Sequence, residues 1–408
     1  MASTAKASKT AKASKKEKPK DAWKSASEEY ARKYRPPTLD GVIGQEGAKS
    51  MIRGFVKRNM LPGAILFHGS HGNGKTTLAR IVAMIANCQN LQDDATPCGE
   101  CNSCKLMRKK HPDYVEINGV AYGGIDDVRS LLQRASYKPM FKKLVIVIDE
   151  AHELTPKAME SLLKDAEEPQ AHVLWIFATT DPQKIKQTLL SRLTKIAVTE
   201  LAQERVMKLM RKVCKAEGVK IDDEVLELVC NRAGAHVRDC LKLLEMIVSA
   251  MLGGALDAKT ISESSVEKYI SSILSIPNYE HVQAYLANIY AGELHHAMKF
   301  ASQTPVPKPM FLKSCIEVHG NVMLALACKK PSDCISDGYV LRYVDKSAKI
   351  GKLKSTPDTA DMLQKMASDM IDLYTQMGQF QLGDSLTGLT MLATRFSLRF
   401  RERHTKGR

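Results

Sequence analysis

Residues Ala64 to Asn87 read AILFHGSHGNGKTTLARIVAMIAN, and this stretch constrains the fold more tightly than any other. Ala64, Ile65, Leu66 and Phe67 form an apolar run with the length and β-branching of a buried strand. Gly69-Ser70-His71-Gly72-Asn73-Gly74-Lys75-Thr76 interrupts it before a helical pattern begins. Strand, glycine-rich loop and helix in that order make a phosphate cradle, a P-loop. The glycines let backbone N–H groups turn inward, and the helix presents its positive dipole end. Lys75 reaches the terminal phosphates of a nucleotide, and the Thr76 hydroxyl serves Mg²⁺. Gly72, Asn73, Gly74, Lys75, Thr76 and Thr77 are therefore the expected phosphate-facing residues. The alternative is a plain strand-turn-helix connection.

A second apolar run, Leu144-Val145-Ile146-Val147-Ile148, ends in Asp149-Glu150-Ala151-His152. A strand this uniformly apolar is buried on both faces, which predicts a parallel sheet covered by helices. Acids at its carboxyl end lie where such sheets bind ligands. Asp149 is expected to hold Mg²⁺, directly or through its water shell, and Glu150 to polarise the water attacking a γ-phosphate. His152 reads as structural. Tyr114 to Ile117, Leu174 to Ala178 and Thr194 to Val198 complete five strands, and Ile125 to Ala135 is a helix. Thr155-Pro156 opens another helix, with Thr155 as N-cap. A hydroxyl at Thr179-Thr180, after the fourth strand, either senses the γ-phosphate or belongs to a turn.

Ten cysteines are present, and Cys88, Cys98, Cys101 and Cys104 cluster in NCQNLQDDATPCGECNSCK. Two overlapping C-x-x-C steps and Cys88 at a helix end supply the four corners of a Zn²⁺ tetrahedron. Four thiolates leave no open position for water, so the expected role is structural. It would stabilise a protruding loop by about 10 kcal/mol, judging from zinc-finger peptides. Free or redox-active thiols are the alternative. Cys214, Cys230, Cys240, Cys315, Cys328 and Cys334 read as small core hydrophobes.

The formal charge is +15, and the lysine-rich repeat in residues 1–20 accounts for six of those charges. Residues 1–27 read as a disordered basic tail, and the remaining basic body suits either a polyanionic partner or a solvated lysine surface. No apolar run approaches a membrane span and none resembles a signal-peptide core, so the expected setting is the cytoplasm, or the host cytoplasm if the chain is viral. Tyr34-Arg35-Pro36-Pro37 and Ile43-Gly44-Gln45-Glu46 either place apolar groups beside an adenine ring or simply cover the sheet. From Glu204 to Leu252 the pattern is that of a small helical lid, with Arg238 opening its third helix. Gly253-Gly254 marks a boundary. Beyond it Ile261 to about Arg403 is helical and methionine-rich, with loops at Pro305 to Pro309 and Gly351 to Pro357 and a basic end at Arg399, Arg401 and Arg403.

Together, YRP at Tyr34 to Pro36, IGQE at Ile43 to Glu46, GNGKTT at Gly72 to Thr77, TPCGECNSC at Thr96 to Cys104, IDEAHEL at Ile148 to Leu154, LLKDAEEPQAHV at Leu162 to Val173, ATTDPQKI at Ala178 to Ile185 and LLSR at Leu189 to Arg192 resemble the bacterial clamp-loader ATPase subunit of DNA polymerase III, gamma/tau type. The match is dense from about residue 30 to 200 and thinner to 250. The resemblance implies an α/β AAA+ P-loop module (28–198) with a five-stranded parallel sheet and a zinc-binding insertion (88–104). It also implies a three-helix lid (199–255) and an all-α collar (256–408) that assembles five subunits into a spiral. ATP would contact Tyr34, Arg35, Pro36 and Ile43 besides the P-loop. Lys75, Asp149, Glu150, sensor 1 at Thr180 and sensor 2 at Arg238 would act on it, with Mg²⁺ on Thr76 and Asp149. The family's SRC motif reads Ser191-Arg192-Leu193 here, so Arg192 is the arginine finger that completes a neighbour's site, an effect of about 10³ to 10⁵ in rate or roughly 4 to 7 kcal/mol. Arg238 follows Ala235-His236 where the family has Gly-Ser before the arginine.

Primer-template DNA would be gripped through its backbone at positions matching Tyr122, Gly124, Arg129 and Lys164, with Gly123-Gly124 offering backbone N–H groups to phosphate. The reading is an ATP-dependent clamp-loader subunit. Its partners would be a ring-shaped sliding clamp, primed DNA, further loader subunits in a homo- or hetero-pentamer, and a DNA polymerase. The alternatives are another AAA+ DNA motor, such as a branch-migration helicase, and a scaffold that binds ATP without turnover.

Overall fold

Five apolar segments form one parallel sheet in the computed structural model, which describes residues 29–257, 261–274, 279–303, 307–327, 357–379, 389–390 and 392–398. The basic tail, Cys328, Cys334, the loop from Gly351 and the basic end from Arg399 lie outside the described residues.

The strands are β1 (Ala64–His68), β2 (Tyr114–Asn118), β3 (Leu144–Asp149), β4 (Val173–Thr179) and β5 (Thr194–Ala197), ordered β2-β3-β4-β1-β5. β1, β3 and β4 occupy the interior, which is why they read as continuous apolar runs; β3 and β4 register Ile146 against Trp175 and Ile148 against Phe177. Alternate residues feed two cores. Leu66, Ile146, Trp175 and Phe177 face helix α5 (Ile125–Ala135) and the short helices α6 (Pro156–Ser161) and α7 (Leu163–Glu167). Ile65, Phe67, Val145 and Ile176 face α2 (Glu46–Lys57) and the P-loop helix α3 (Lys75–Asn87). Thr155 caps α6 by accepting from the Ala158 N–H at 3.3 Å. The helix that Thr155-Pro156 opens breaks at Leu162 into α6 and α7.

Two short elements complete this unit. α4 (Asn102–Met107) carries Cys104 beside α3, and α8 (Gln187–Leu190) precedes Arg192.

The lid comprises α9 (Gln203–Glu217), α10 (Asp223–Arg232) and α11 (Val237–Leu252), whose inner faces bury Val206, Met210, Val213, Val225, Leu228, Val229, Leu244 and Ile247. The first described helix, α1 (Tyr30–Lys33), also packs on this core, with Tyr30 8% exposed and its N–H donating to Glu245 of α11 at 3.1 Å. Tyr34 and Lys33 both donate to Glu217 of α9.

The C-terminal helices are α12 (Glu263–Leu274), α13 (Tyr279–Tyr290), α14 (Leu294–Gln303), α15 (Lys308–Ala327) and α16 (Pro357–Gln379). Met362, Met366 and Met370 fill the core of this unit with Phe311, Leu312 and Phe396, so these methionines pack a helix core. α12 is pinned to the lid by a buried ion pair between Arg232 and Glu267.

Candidate active site and metal centre

The carboxyl ends of β1, β3 and β4 lie side by side in the centre of the sheet, and most of the expected chemistry converges there. Gly74 turns the chain at φ 99° so that α3 begins at Lys75. Lys75 folds over the loop, its ammonium donating to the Gly69 and Ser70 carbonyls at 2.9 and 3.0 Å. Burial holds it below the usual lysine range, with Glu150 and Asp149 opposing. Thr76 donates to Asp149 Oδ2 at 2.8 Å, which joins the first turn of α3 to the end of β3.

Glu150 follows in the left-handed region, φ 51°. Its Oε2 is 3.4 Å from the Thr180 hydroxyl and 3.5 Å from His152 Nδ1. Thus Lys75, Thr76, Asp149, Glu150 and Thr180 form one cluster.

The lid closes on this cluster at the P-loop. A side chain at Gly72, where φ is 77°, would come within 3.1 Å of His236 Cβ and 3.8 Å of Arg238 Cβ, so glycine there serves both the turn and the lid contact. Arg238 therefore lies beside the loop from the lid side. Asn73 is 3% exposed; its amide donates to Ser70 Oγ at 2.9 Å, while its Oδ1 is buried with no protein partner. The glycine turn at the start of α3, the lysine and the Thr76–Asp149 pair form a set that fits a nucleotide triphosphate with Mg²⁺. Lys75, Thr76 and Asp149 would hold them, and the metal would neutralise phosphate charge.

The remaining expected contacts divide. Arg35 lies half-buried beside Arg80 and Arg238, and burial first, then Arg80, holds its guanidinium below the usual range. Arg80 itself grips Glu116 of β2 with two bonds, at 2.8 and 3.0 Å. Tyr34 turns to the lid, packs on its core and spends its hydroxyl on Glu217. Pro36 packs against the turn at Gly41, where an added side chain would approach its Cβ to 2.8 Å, and Ile43 is half-buried.

Gln45, named in the sequence only as part of the IGQE motif and given no role of its own, ties this loop to the site. It is 4% exposed, with φ 57°. Its amide donates to the Thr199 carbonyl at 2.7 Å and to the Asn73 carbonyl at 3.4 Å, and its oxygen accepts from the Thr199 N–H at 2.9 Å. Arg192 lies apart from the cluster, paired with Glu167 at 2.7 Å and with the Thr188 carbonyl at 2.7 Å.

Tyr122, Arg129 and Lys164 are all exposed, on or beside neighbouring elements of one layer. Arg129 pairs with Asp126 at 3.1 Å. The expectation that Gly124 offers its N–H to phosphate is corrected: that group donates to Asp127 Oδ2 at 3.2 Å, at the start of α5.

At the far end of α3, the sulfurs of Cys88, Cys98, Cys101 and Cys104 all lie within 4.8 Å of one another. Backbone N–H groups already point at the sulfurs: Cys98 to Cys88 at 3.3 Å, Cys101 to Cys98 at 3.4 Å, and Cys104 to Cys101 at 3.5 Å. Burial opposes ionisation of Cys98, yet the N–H groups of Cys101 and Glu100 pull its thiol down to about 6. Four sulfurs this close, with donors stabilising thiolate, fit tetrahedral Zn²⁺. Ser103 and His111 bond at 3.0 Å, and His111 accepts from the Asp113 N–H at 3.1 Å, which seats the cluster on the body.

The sheet order, the P-loop between β1 and α3, the paired acids after β3 and the helical lid against the loop define an AAA+ P-loop module carrying an ATPase-type site. Within that class the chain is similar to DNA polymerase III gamma/tau subunits. Residues 44–202 match a family model described as DNA polymerase III, delta subunit. The gamma/tau subunit of Mycobacterium tuberculosis is 38% identical over 230 residues, which is 55% of this chain and 39% of that protein. That of Mycoplasma pneumoniae is 32% identical over 309 residues, 74% of this chain and 44% of that protein. The chain thus spans about two fifths of the length of these curated relatives. Among solved structures, the Thermotoga maritima RuvB Holliday junction branch migration motor aligns at 20% identity over 77% of this chain and 91% of that one, with a TM-score of 0.46. Among the described residues no helix is long and apolar enough to cross a membrane.

Proposed function

We propose that this chain is an ATP-hydrolysing subunit of a replicative clamp loader. The observation that carries this reading is the cluster of Lys75, Thr76, Asp149, Glu150 and Thr180, with the lid residues His236 and Arg238 against the same loop. Lys75 and the loop N–H groups bind the phosphates, Asp149 and Thr76 orient Mg²⁺, and Glu150 takes the proton of the attacking water. Arg238 reports the phosphate to the lid. Arg192, on the surface and away from its own cluster, fits a finger supplied to a neighbouring subunit, so turnover requires the oligomer.

ATP binding would assemble a pentameric spiral through the C-terminal helices, open a ring-shaped sliding clamp and admit primer-template DNA along Tyr122, Arg129 and Lys164. Hydrolysis would release the closed clamp on DNA beside a DNA polymerase, in the cytoplasm. The similarity to gamma/tau subunits over the P-loop unit and lid supports this assignment.

The test is steady-state ATPase of the purified assembly with primer-template, single-stranded and blunt duplex DNA, with Lys75→Ala and Arg192→Ala as controls. Stimulation by the primed junction, lost in both variants, is expected. Equal rates on every DNA, with the clamp added, would reject clamp loading, and nucleotide binding without turnover would indicate a scaffold.

A further inference from the structure

The backbone of Glu150 is pinned on both sides. Gly119 donates its N–H to the Asp149 carbonyl at 2.7 Å and approaches so closely that an added Cβ would lie 2.6 Å from the Glu150 carbonyl oxygen. On the other side Glu153 donates its N–H to that same oxygen at 2.9 Å. These contacts fix where the side chain starts, but not how its carboxylate is turned, because the last torsion of glutamate is broad and roughly two-fold. Orientation has to come from what touches the oxygens.

His152 is the best-anchored of those contacts. Its ring is 10% exposed, and Nδ1 lies 3.5 Å from Glu150 Oε2 and 3.1 Å from the hydroxyl of Thr179, a fully buried residue at the end of β4. The Thr179 oxygen accepts from the Asp181 N–H at 3.1 Å and has a second lone pair for an N–H at Nδ1, a proton that Glu150 Oε2 can then share, while Nε2 lies 3.2 Å from Glu153 Oε1. Both ring nitrogens are therefore held, one from the sheet and one from its own turn. By contrast His71, 3.9 Å from Oε1, is more than half exposed on the P-loop. A buried ring fixed from two directions and lying against one oxygen of a carboxylate limits how that carboxylate can rotate.

We propose that His152 is a positioning residue for Glu150: with Nδ1 anchored by Thr179, it sets the rotation of the Glu150 carboxylate, so that the oxygen facing bound nucleotide is the one that receives the proton from water. The inference rests on the ATPase reading of the site.

Asparagine and glutamine separate the two ring nitrogens, because Asn places its polar group near Nδ1 and Gln places it near Nε2. The experiment measures kcat, KM for MgATP and equilibrium affinity for MgATPγS in the assembled full chain. It compares wild type, His152→Ala, His152→Asn, His152→Gln and Thr179→Val, with Glu150→Gln as the inactive control. His152→Ala and Thr179→Val are expected to lower kcat about 10- to 100-fold, the size of a sub-ångström to 1 Å misplacement, with KM and affinity within about twofold. His152→Asn should recover most of the loss and His152→Gln little of it. The inference is overturned if His152→Ala keeps wild-type kcat, if its loss is matched by lost affinity, or if Asn rescues no better than Gln. Wild-type protein without turnover, or turnover that survives Glu150→Gln, would overturn the hydrolase reading and this inference with it.

Discussion

Thr76 Oγ1 and Asp149 Oδ2 lie 2.8 Å apart, so the hydroxyl that opens the P-loop helix and the acid that ends the central strand are set to share one metal ion. Thr76→Val removes that hydroxyl with little change in volume. MgATP affinity should fall by about 10- to 100-fold, the span of a charge-assisted contact of 1.5 to 3 kcal/mol. Affinity for ATP in excess EDTA should not change. Equal losses with and without Mg²⁺ would show that Thr76 acts on the fold of the loop and not through the ion.

Gln45 offers a stability test away from the chemistry. Gln45→Ala leaves the Thr199 N–H without its acceptor and the Thr199 carbonyl without its donor. A cost of about 1 to 3 kcal/mol is expected in urea unfolding. Nucleotide affinity should weaken as well, since Gln45 also reaches the Asn73 carbonyl. Unchanged stability would mean that water replaces both bonds.

The cysteine cluster lies beyond the last residue of α3, a 13-residue helix that is about 20 Å long and begins at Lys75. Metal analysis should find one zinc per chain. Cys98→Ser with Cys104→Ser should abolish it and open residues 88–104 to proteolysis, while ATP affinity stays within about threefold. A large loss of ATP affinity would show that the cluster supports the P-loop through α3.

Arg232 and Glu267 tie lid to C-terminal unit as a buried pair, with side chains 6% and 1% exposed. Glu267→Ala alone removes the carboxylate partner of a buried guanidinium and should cost about 3 to 5 kcal/mol. Arg232→Met combined with Glu267→Leu should come within about 1 kcal/mol of wild type. If the single and double variants melt alike, the pair does not carry the joint.

His319 makes the C-terminal unit acid-sensitive. The ring accepts from the Tyr290 hydroxyl, donates to the Leu363 carbonyl at 2.9 Å, and burial pushes its pKa down to about 4 from 6.5. Below 6.5 the unfolded chain binds the proton and the folded chain does not, so stability falls as pH drops. The loss should reach about 3 kcal/mol near pH 4. Melts of wild type and His319→Asn between pH 7.5 and 4.5 should converge as the pH falls, and parallel curves would refute the assignment.

Much of the site was legible because its residues are neighbours in sequence. The P-loop, the acids after β3 and the C-x-x-C steps each announce their chemistry within a few positions, and period and apolarity placed the strands to within a residue or two. Contacts across long separations were not legible. Gln45 resembles any polar loop residue until Thr199 is beside it, 154 positions later. Tyr34 read as a contact to ATP, and nothing near it in sequence signals the bond of its hydroxyl to Glu217 on the lid, 183 positions later. The break at Leu162 leaves no glycine or proline to signal it, and the Gly124 N–H was assigned to phosphate without seeing that Asp127 reaches back for it.

The docking of α1 on the lid has a consequence for how the chain is made. Tyr30 and Glu245 are separated by 215 positions, so the first described helix emerges from a ribosome with no partner surface. At about 5 to 20 residues per second, roughly 10 to 40 s pass before α11 follows it out. During that interval the sheet and P-loop can assemble while the YRP segment hangs unanchored, so nucleotide affinity should mature only when the last lid helix is released.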